Sequence, residues 1–221
     1  MKKYEFVEGD EIVIAPGRTI KRIRALVAIS YVCTAGSLGG YIESDNSLSH
    51  EGDAWVYGNA WVYGNAQVSG NARVSDNARV SDNAQVYGNA RVYGNAWVYG
   101  NARVSDNARV SGDARVSGNA QVSGDAQVSG DAWVYGNALI SGNARVYGDG
   151  LIIWFSHVGS ENGTLTAYNT KDNSIEVTRG CFIGTIDEFL VASEKKHDAT
   201  THIEYRLLIE VAYSRITRAR K

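Results

Sequence analysis

Residues 54–65 read AWVYGNAWVYGN, one six-residue phrase given twice, and the phrase recurs without a gap as far as Asp149. Sixteen consecutive hexads fit Ala-x-Val-(Tyr/Ser)-(Gly/Asp)-(Asn/Asp), with Ile140 the one departure from valine and Leu139 beside it. A fixed short period decides the fold before any other signal. Each unit buries its apolar side only by stacking on its neighbours.

Within a hexad, Ala and Val stand two apart, so both point to one side of an extended strand while the residue between them points outward. Gly-Asn, Gly-Asp or Asp-Asn then turns the corner, because Gly and Asn tolerate left-handed dihedrals that strain other residues. Four strand residues and two corner residues, three times over, predict an 18-residue triangular coil with valine and alanine inside. Sixteen hexads stack to about 26 Å at ~4.8 Å per coil. One valine in six residues supplies too little apolar burial alone, so coil-to-coil backbone bonds and aligned asparagine ladders are expected to carry much of the rest.

Here the chain resembles the left-handed parallel β-helix of hexapeptide-repeat proteins. Their pattern sets an aliphatic residue first and a small residue four places on, as Val56 with Ala60 and Val74 with Ala78 do. The left hand is implied by that resemblance, not by the arithmetic. The family's glycine directly after the aliphatic residue is replaced by Tyr or Ser, with Gly or Asp one place later.

Positions eighteen apart should share a face. One face then carries Trp61, Arg79, Trp97, Arg115 and Trp133 in vertical order, beside Tyr63, Ser81, Tyr99, Ser117 and Tyr135. A second carries Trp55, Arg73, Arg91, Arg109, Gln127 and Arg145, and the third Gln67, Gln85, Arg103, Gln121 and Leu139. Arg between Trp rings makes a cation–π ladder that stiffens the sheet. The same strip, Trp61, Tyr63, Arg79, Trp97, Tyr99, Arg115, Trp133 and Tyr135, is the candidate oligomer interface, since Trp, Tyr and Arg are enriched where proteins associate. Homotrimers are common in the resembled fold, so a trimer is the expected homo-oligomer. Nucleic acid is not the expected partner: seven aspartates at the corners offset the seven arginines of the repeat.

The reading is a mainly β chain in three parts: an N-terminal β cap and first coil (1–53), the hexapeptide solenoid (54–149), and a small C-terminal α+β domain (150–221). In the cap, strands are expected around Thr19–Ser30, then Gly39-Gly40-Tyr41-Ile42. Ile42 to Leu48 is six residues but Leu48 to Val56 is eight, which places a two-residue insertion at Ser49–Asp53, beside His50. The run GGYIESDNSLSHEGDAWVYGNA (39–60) resembles the opening segment of YdcK-like hexapeptide-repeat proteins. That family is labelled transferase, without a reaction that carries over to these residues.

After Gly150 the period stops. Leu151–Val158, Gly163–Tyr168 and Asn173–Thr178 read as strands, Thr185-Ile-Asp-Glu188 as a capping box, and Thr201–Arg215 as a helix with Ile203, Leu207, Leu208 and Val211 at helical spacing. Residues 159–168 (GSENGTLTAY) and 179–185 (RGCFIGT) resemble the C-terminal module of phage and prophage hexapeptide-repeat proteins. A phage- or prophage-encoded protein working in the cytoplasm of a bacterial host is what this implies.

Candidate ligand residues in this segment are His157, Ser160, Thr164, Thr166, Arg179 and Cys181, with glycines that allow a close approach. Cys181 is otherwise expected as a buried packing cysteine. Four His and two Cys are scattered without ligand spacing, so neither metal nor cofactor is expected. The longest apolar run, Ala25–Ile29, is far short of the ~20 residues that span a bilayer, and Met-Lys-Lys is followed by no signal-peptide core.

Three functions compete. A non-enzymatic binding or assembly protein is favoured, its stem presenting the C-terminal domain to a host protein or a small nucleotide-like ligand. An acyltransferase of the hexapeptide type needs a histidine at the coils, and no hexad contains one; His50 is the nearest. A structural stem or fibre segment is the third.

Overall fold

In the computed structural model, which describes residues 2–220, every hexad forms one rung of a three-sided parallel β-solenoid. The paired strand is shorter than expected: two residues per hexad, from β4 (Trp55–Val56) through β19 (Arg145–Val146). The corners explain this. The alanine N–H of one hexad closes a turn onto the carbonyl three residues back, as from Ala72 to Ser69 at 3.2 Å and Ala84 to Ser81 at 3.1 Å. Both residues flanking each corner therefore belong to the bend.

The rungs, each an outward residue and the one after it, sort into three sheets: β5, β8, β11, β14 and β17 (from Trp61, Arg79, Trp97, Arg115 and Trp133); β4, β7, β10, β13, β16 and β19 (from Trp55, Arg73, Arg91, Arg109, Gln127 and Arg145); β6, β9, β12, β15 and β18 (from Gln67, Gln85, Arg103, Gln121 and Leu139). Trp61 pairs with Arg79, Arg91 with Arg109 and Gln67 with Gln85, each eighteen residues on. The three expected faces are therefore observed. Inside, Val62, Val80 and Val98 with Ala60, Ala78 and Ala96 are fully buried.

Asparagine ladders climb the corners. One runs Asn65–Asn83–Asn101–Asn119–Asn137, each Nδ2 donating to the Oδ1 above at 2.9–3.1 Å. On the other two corners Asn95 donates to Asp113 and Asn107 to Asp125, both at 3.0 Å. A carboxylate has no N–H to pass on, so those ladders end there. Asp76, Asp82 and Asp106 occupy glycine places at φ of 61°, 60° and 58°. Each carboxylate offsets that strain by accepting the N–H of Gly94, Gly100 or Gly124 in the coil above, at 3.0–3.1 Å.

The N-terminal cap is a hairpin of β1 (Tyr4–Ala15) and β2 (Arg18–Ala25), followed by β3 (Leu38–Ile42). β3 runs parallel to β5 with Tyr41 beside Trp61, so the cap prolongs the Trp–Arg sheet. The long β1 was not foreseen, and of the span expected to hold strands, around Thr19–Ser30, β2 takes the part up to Ala25. Gly40 is required where β3 meets the first coil: a Cβ there would lie 2.6 Å from the Ala60 carbonyl oxygen. The two-residue insertion shows in the register, since Ile42 pairs with Val62 and Leu48 with Val68, twenty apart, but Val56 with Val74, eighteen apart.

Trp55, read from the sequence as an outward residue of the second face, is buried at 1 % exposure. The cap folds over it, with the Tyr4 ring 6.3 Å away in an edge contact. Beneath the coils, Lys3 Nζ donates to the Ala54 carbonyl at 2.8 Å and Tyr4 Oη to the carbonyls of Asp45 and Leu48 at 2.9 and 3.0 Å. Burial lowers the Lys3 ammonium to about 8.

The C-terminal segment is a sheet of four antiparallel strands, β20 (Ile152–Val158), β21 (Gly163–Asn169), β22 (Ile175–Arg179) and β23 (Phe182–Thr185), then α1 (Ile186–Lys196) and α2 (Ala199–Ala219). β23 was not anticipated. The capping box stands as read: Glu188 N–H donates to Thr185 Oγ1 at 3.3 Å, and the Glu188 carboxylate accepts the Thr185 N–H at 2.8 Å.

α2 corrects the sequence reading. Its core side is Thr201, Tyr205, Ile209, Ala212 and Ile216; of the expected face Leu208 packs half-buried against the core, while Ile203, Leu207 and Val211 are 46–53 % exposed. The helix carries two apolar stripes, and helical spacing does not say which one meets the sheet. Gly159 helps decide it: a Cβ there would fall 1.8 Å from Tyr205 Oη, so the missing side chain makes room for the phenol.

Candidate functional site

A stacked sheet ends in unpaired backbone groups that need partners. In the coil below, Gln121 N–H donates to the Ala138 carbonyl at 2.9 Å. On the last coil, Leu139 finds side chains instead: its N–H donates to Thr166 Oγ1 at 3.2 Å, and its carbonyl accepts from Thr178 Oγ1 at 2.8 Å. Ser141 N–H donates to Tyr168 Oη at 3.3 Å, Trp133 N–H to Asp149 Oδ1 at 2.8 Å, and the Arg145 carbonyl accepts from Asn169 Nδ2 at 3.3 Å. Burial pushes the Tyr168 phenol up to about 12. The four-stranded sheet is thus the upper lid of the solenoid.

That lid uses one of the six candidate ligand residues, Thr166, which is fully buried. The others divide about Arg179. His157 and Thr164 line an open cleft of about 370 Å³ with Arg179, over Gln121 and Asn137. His157 is exposed, at φ 59° in a bulge between Phe155 and Val158. Cys181 lies on the other side, in a cavity of about 110 Å³ with Arg179, Phe189, Ser193, His197 and Tyr205. Ser160 Oγ is 3.4 Å from His197 Nδ1. Arg179 Nη2 donates to the Val158 carbonyl at 3.1 Å, and its guanidinium is 6.0 Å from the Tyr205 ring centroid. Cys181 is exposed, not the packing residue expected, and it and Cys33 are free thiols.

On the long face, Arg79 stands 4.4 Å from the Trp61 ring centroid and 5.1 Å from that of Trp97; Arg115 stands 5.7 Å from Trp97 and 4.8 Å from Trp133. The alternation read from the sequence is therefore a continuous cation–π ladder. Arg18 covers Tyr63 at 5.5 Å. Tyr99 packs edge-on against Trp97 at 6.3 Å, and Trp97 remains 38 % exposed.

His50, the one histidine near the coils weighed as a general base, is built into the lower cap. Its Nδ1 accepts the Lys3 backbone N–H at 3.1 Å, which leaves Nε2 to donate to Asp45 at 3.1 Å. Its ring stacks on Tyr4 at 4.5 Å. A base needs a free lone pair within reach of its substrate, and here that lone pair is taken.

A further cavity brings together residues that the sequence left apart. A cleft of about 520 Å³ lies between the top of the Trp–Arg face and the end of α2, lined by Trp133, Tyr135, Trp154, Asp149, Arg215 and Arg218 among others. Tyr135 and Trp154 meet edge-on at 4.3 Å. The sequence put Trp133 in the ladder and, with Tyr135, in the candidate interface, Trp154 in a strand and Arg215 at the end of a helix, with nothing to join them. A periodic face meeting aperiodic chain leaves no spacing signal to connect them.

Among the described residues, no group of three or more His, Cys, Asp or Glu side chains is placed to hold a metal, and no helix is long and apolar enough to cross a membrane. The family model described as YdcK Beta solenoid repeat matches residues 54–70, 66–82, 84–100, 96–112, 102–118, 108–124, 120–136 and 126–141. No curated protein matches the chain. Between residues 54 and 141, then, the chain is a repeat β-helix whose coils are similar to the YdcK β-solenoid repeat.

Proposed function

We propose that this is a non-enzymatic binding and assembly protein: a rigid solenoid stem that self-associates and presents its C-terminal domain as the recognition part. The doubled face of α2 carries this reading. Ile203, Leu207 and Val211 rise one above another in solvent on a helix whose other side is already packed. An apolar stripe of that kind is a docking surface in waiting. The coil interior is filled by Val and Ala and leaves no room for a substrate.

Self-association is assigned to the middle of the long face, around Trp97, Tyr99 and Arg115. Tyr63 is roofed by Arg18 below, and the C-terminal segment stands against Tyr135 above. A trimer is the expected number. The partner of the α2 stripe is a protein, which fits the phage or prophage setting implied for the C-terminal segment and a role directed at a host component. A purely structural stem is compatible with the same solenoid; the stripe on α2 favours the binding reading over it.

The experiment is light scattering on the parent, Trp97→Lys and Leu207→Glu proteins. Self-association through the stem predicts that Trp97→Lys lowers the mass and Leu207→Glu leaves it at the parent value. A mass that Trp97→Lys leaves unchanged removes the stem interface. A mass that falls only with Leu207→Glu reassigns the α2 stripe to self-association.

A further inference from the structure

We infer that the cleft between Trp133 and the end of α2 binds a small planar anion, of the nucleotide class: a flat ring bearing a phosphate. This goes beyond the assembly reading and does not depend on it.

The ladder supplies the first argument. Trp97 has a guanidinium on either side, Arg79 at 5.1 Å and Arg115 at 5.7 Å. Trp133 has Arg115 below at 4.8 Å, but the place eighteen residues on falls to Leu151, which is buried in the lid. The upper rung of the ladder is therefore missing from the chain itself. Trp133 is 47 % exposed, and the edge-to-face pair of Tyr135 and Trp154 stands beside it. A planar ring entering the cleft stacks on Trp133 as the next rung, the way bases stack on exposed aromatic platforms.

Charge supplies the second. Arg215 and Arg218 line the same cleft from α2, and neither forms an ion pair with a carboxylate among the described residues. The cleft's one acidic residue, Asp149, has an oxygen engaged by the Trp133 N–H at 2.8 Å. A helix C-terminus attracts a cation in its last turn, which explains one arginine near this end but not two lining an aromatic cleft. Guanidinium forks match phosphate oxygens in pairs. The volume, about 520 Å³, is that of a small-molecule site.

The test is titration of the full chain with adenosine, guanosine and uridine 5′-monophosphates, followed by tryptophan fluorescence and calorimetry. At least one of the three is expected to saturate and quench, with the bare nucleoside and ribose 5-phosphate each at least tenfold weaker. The double variant Arg215→Gln/Arg218→Gln should weaken binding at least tenfold with unchanged circular dichroism and melting. Arg206→Gln, exposed on the same helix but away from the cleft, should bind as the parent does. No saturation by any of the three at millimolar concentration overturns the site. So does full binding by the double variant, or equal weakening by Arg206→Gln. Because the readout is titration, its failure is separate from any change in mass.

Discussion

Thr166 Oγ1 accepts the backbone N–H of Leu139 at 3.2 Å, the bond that another coil would take if the solenoid went on. Thr178 completes the pair from the next strand, donating to the Leu139 carbonyl. Two hydroxyls on neighbouring strands thus stand in for one missing rung. Thr166→Val keeps the shape and leaves a buried N–H unpaired, so it should cost about 1–3 kcal/mol. Thr178→Val orphans the carbonyl and should cost a similar amount. Chemical denaturation of both single variants and the double checks this, and the double should show less than the sum because both bonds serve one residue.

Asp106 stands at φ 58° and accepts the Gly124 N–H at 3.1 Å. Asp106→Gly relieves the left-handed strain while losing the acceptor, and should lie within about 0.5–1 kcal/mol of the parent. Asp106→Ala loses the acceptor and keeps the strain, for a loss of about 1–3 kcal/mol. If alanine is tolerated as well as glycine by denaturant midpoint, the aspartate is not compensating for its backbone.

Glu176 stands over Gly142, with Oε2 buried and unbonded. Burial raises its pKa above the ordinary carboxylate value, with help from Asp172 and Glu188, and Tyr168 opposes only part of the shift. The folded protein therefore holds this proton more tightly than the unfolded chain does. Its contribution is complete below the ordinary carboxylate range and is lost as pH rises through the raised folded value. Glu176→Gln has no proton to lose. It should melt above the parent at about pH 8, with the gap closing toward about pH 4; a gap that stays constant across melts in that range removes the assignment.

Arg73, Arg91 and Arg109 pair in register on the second face, and none forms an ion pair among the described residues. Three guanidiniums in a column repel. Arg91→Trp copies the order of the long face, exchanging two like-charge neighbours for two cation–π contacts worth about 0.5–1 kcal/mol each. The variant should melt higher than the parent, with a smaller rise on adding salt. Equal melting at low and high salt for both proteins means that the side chains already splay apart.

The hexads alone foretold the three faces, the residues on each, the Trp–Arg alternation, the asparagine ladders and the buried Val–Ala column. Local chemistry repeated at a constant step becomes constant geometry, so positions eighteen apart must meet however the ends fold. The capping box at Thr185 was legible without repetition, because all its atoms lie within four residues.

Contacts between distant, unrepeated segments were not legible. Trp55 looks like any outward residue of its hexad until Tyr4 closes over it. Ile203, Leu207 and Val211 have the spacing of a core face, but the space beside Gly159 gives the inward place to Tyr205 and its stripe. Thr166 carries the look of a ligand residue and is spent on Leu139, while the cleft that could take a ligand joins Trp133 to Arg218 across the end of the repeat. Repetition writes the stem into the chain, because each rung answers only to its neighbours. Its ends answer to packing between residues far apart, where several arrangements satisfy the same local pattern and the three-dimensional fold selects one.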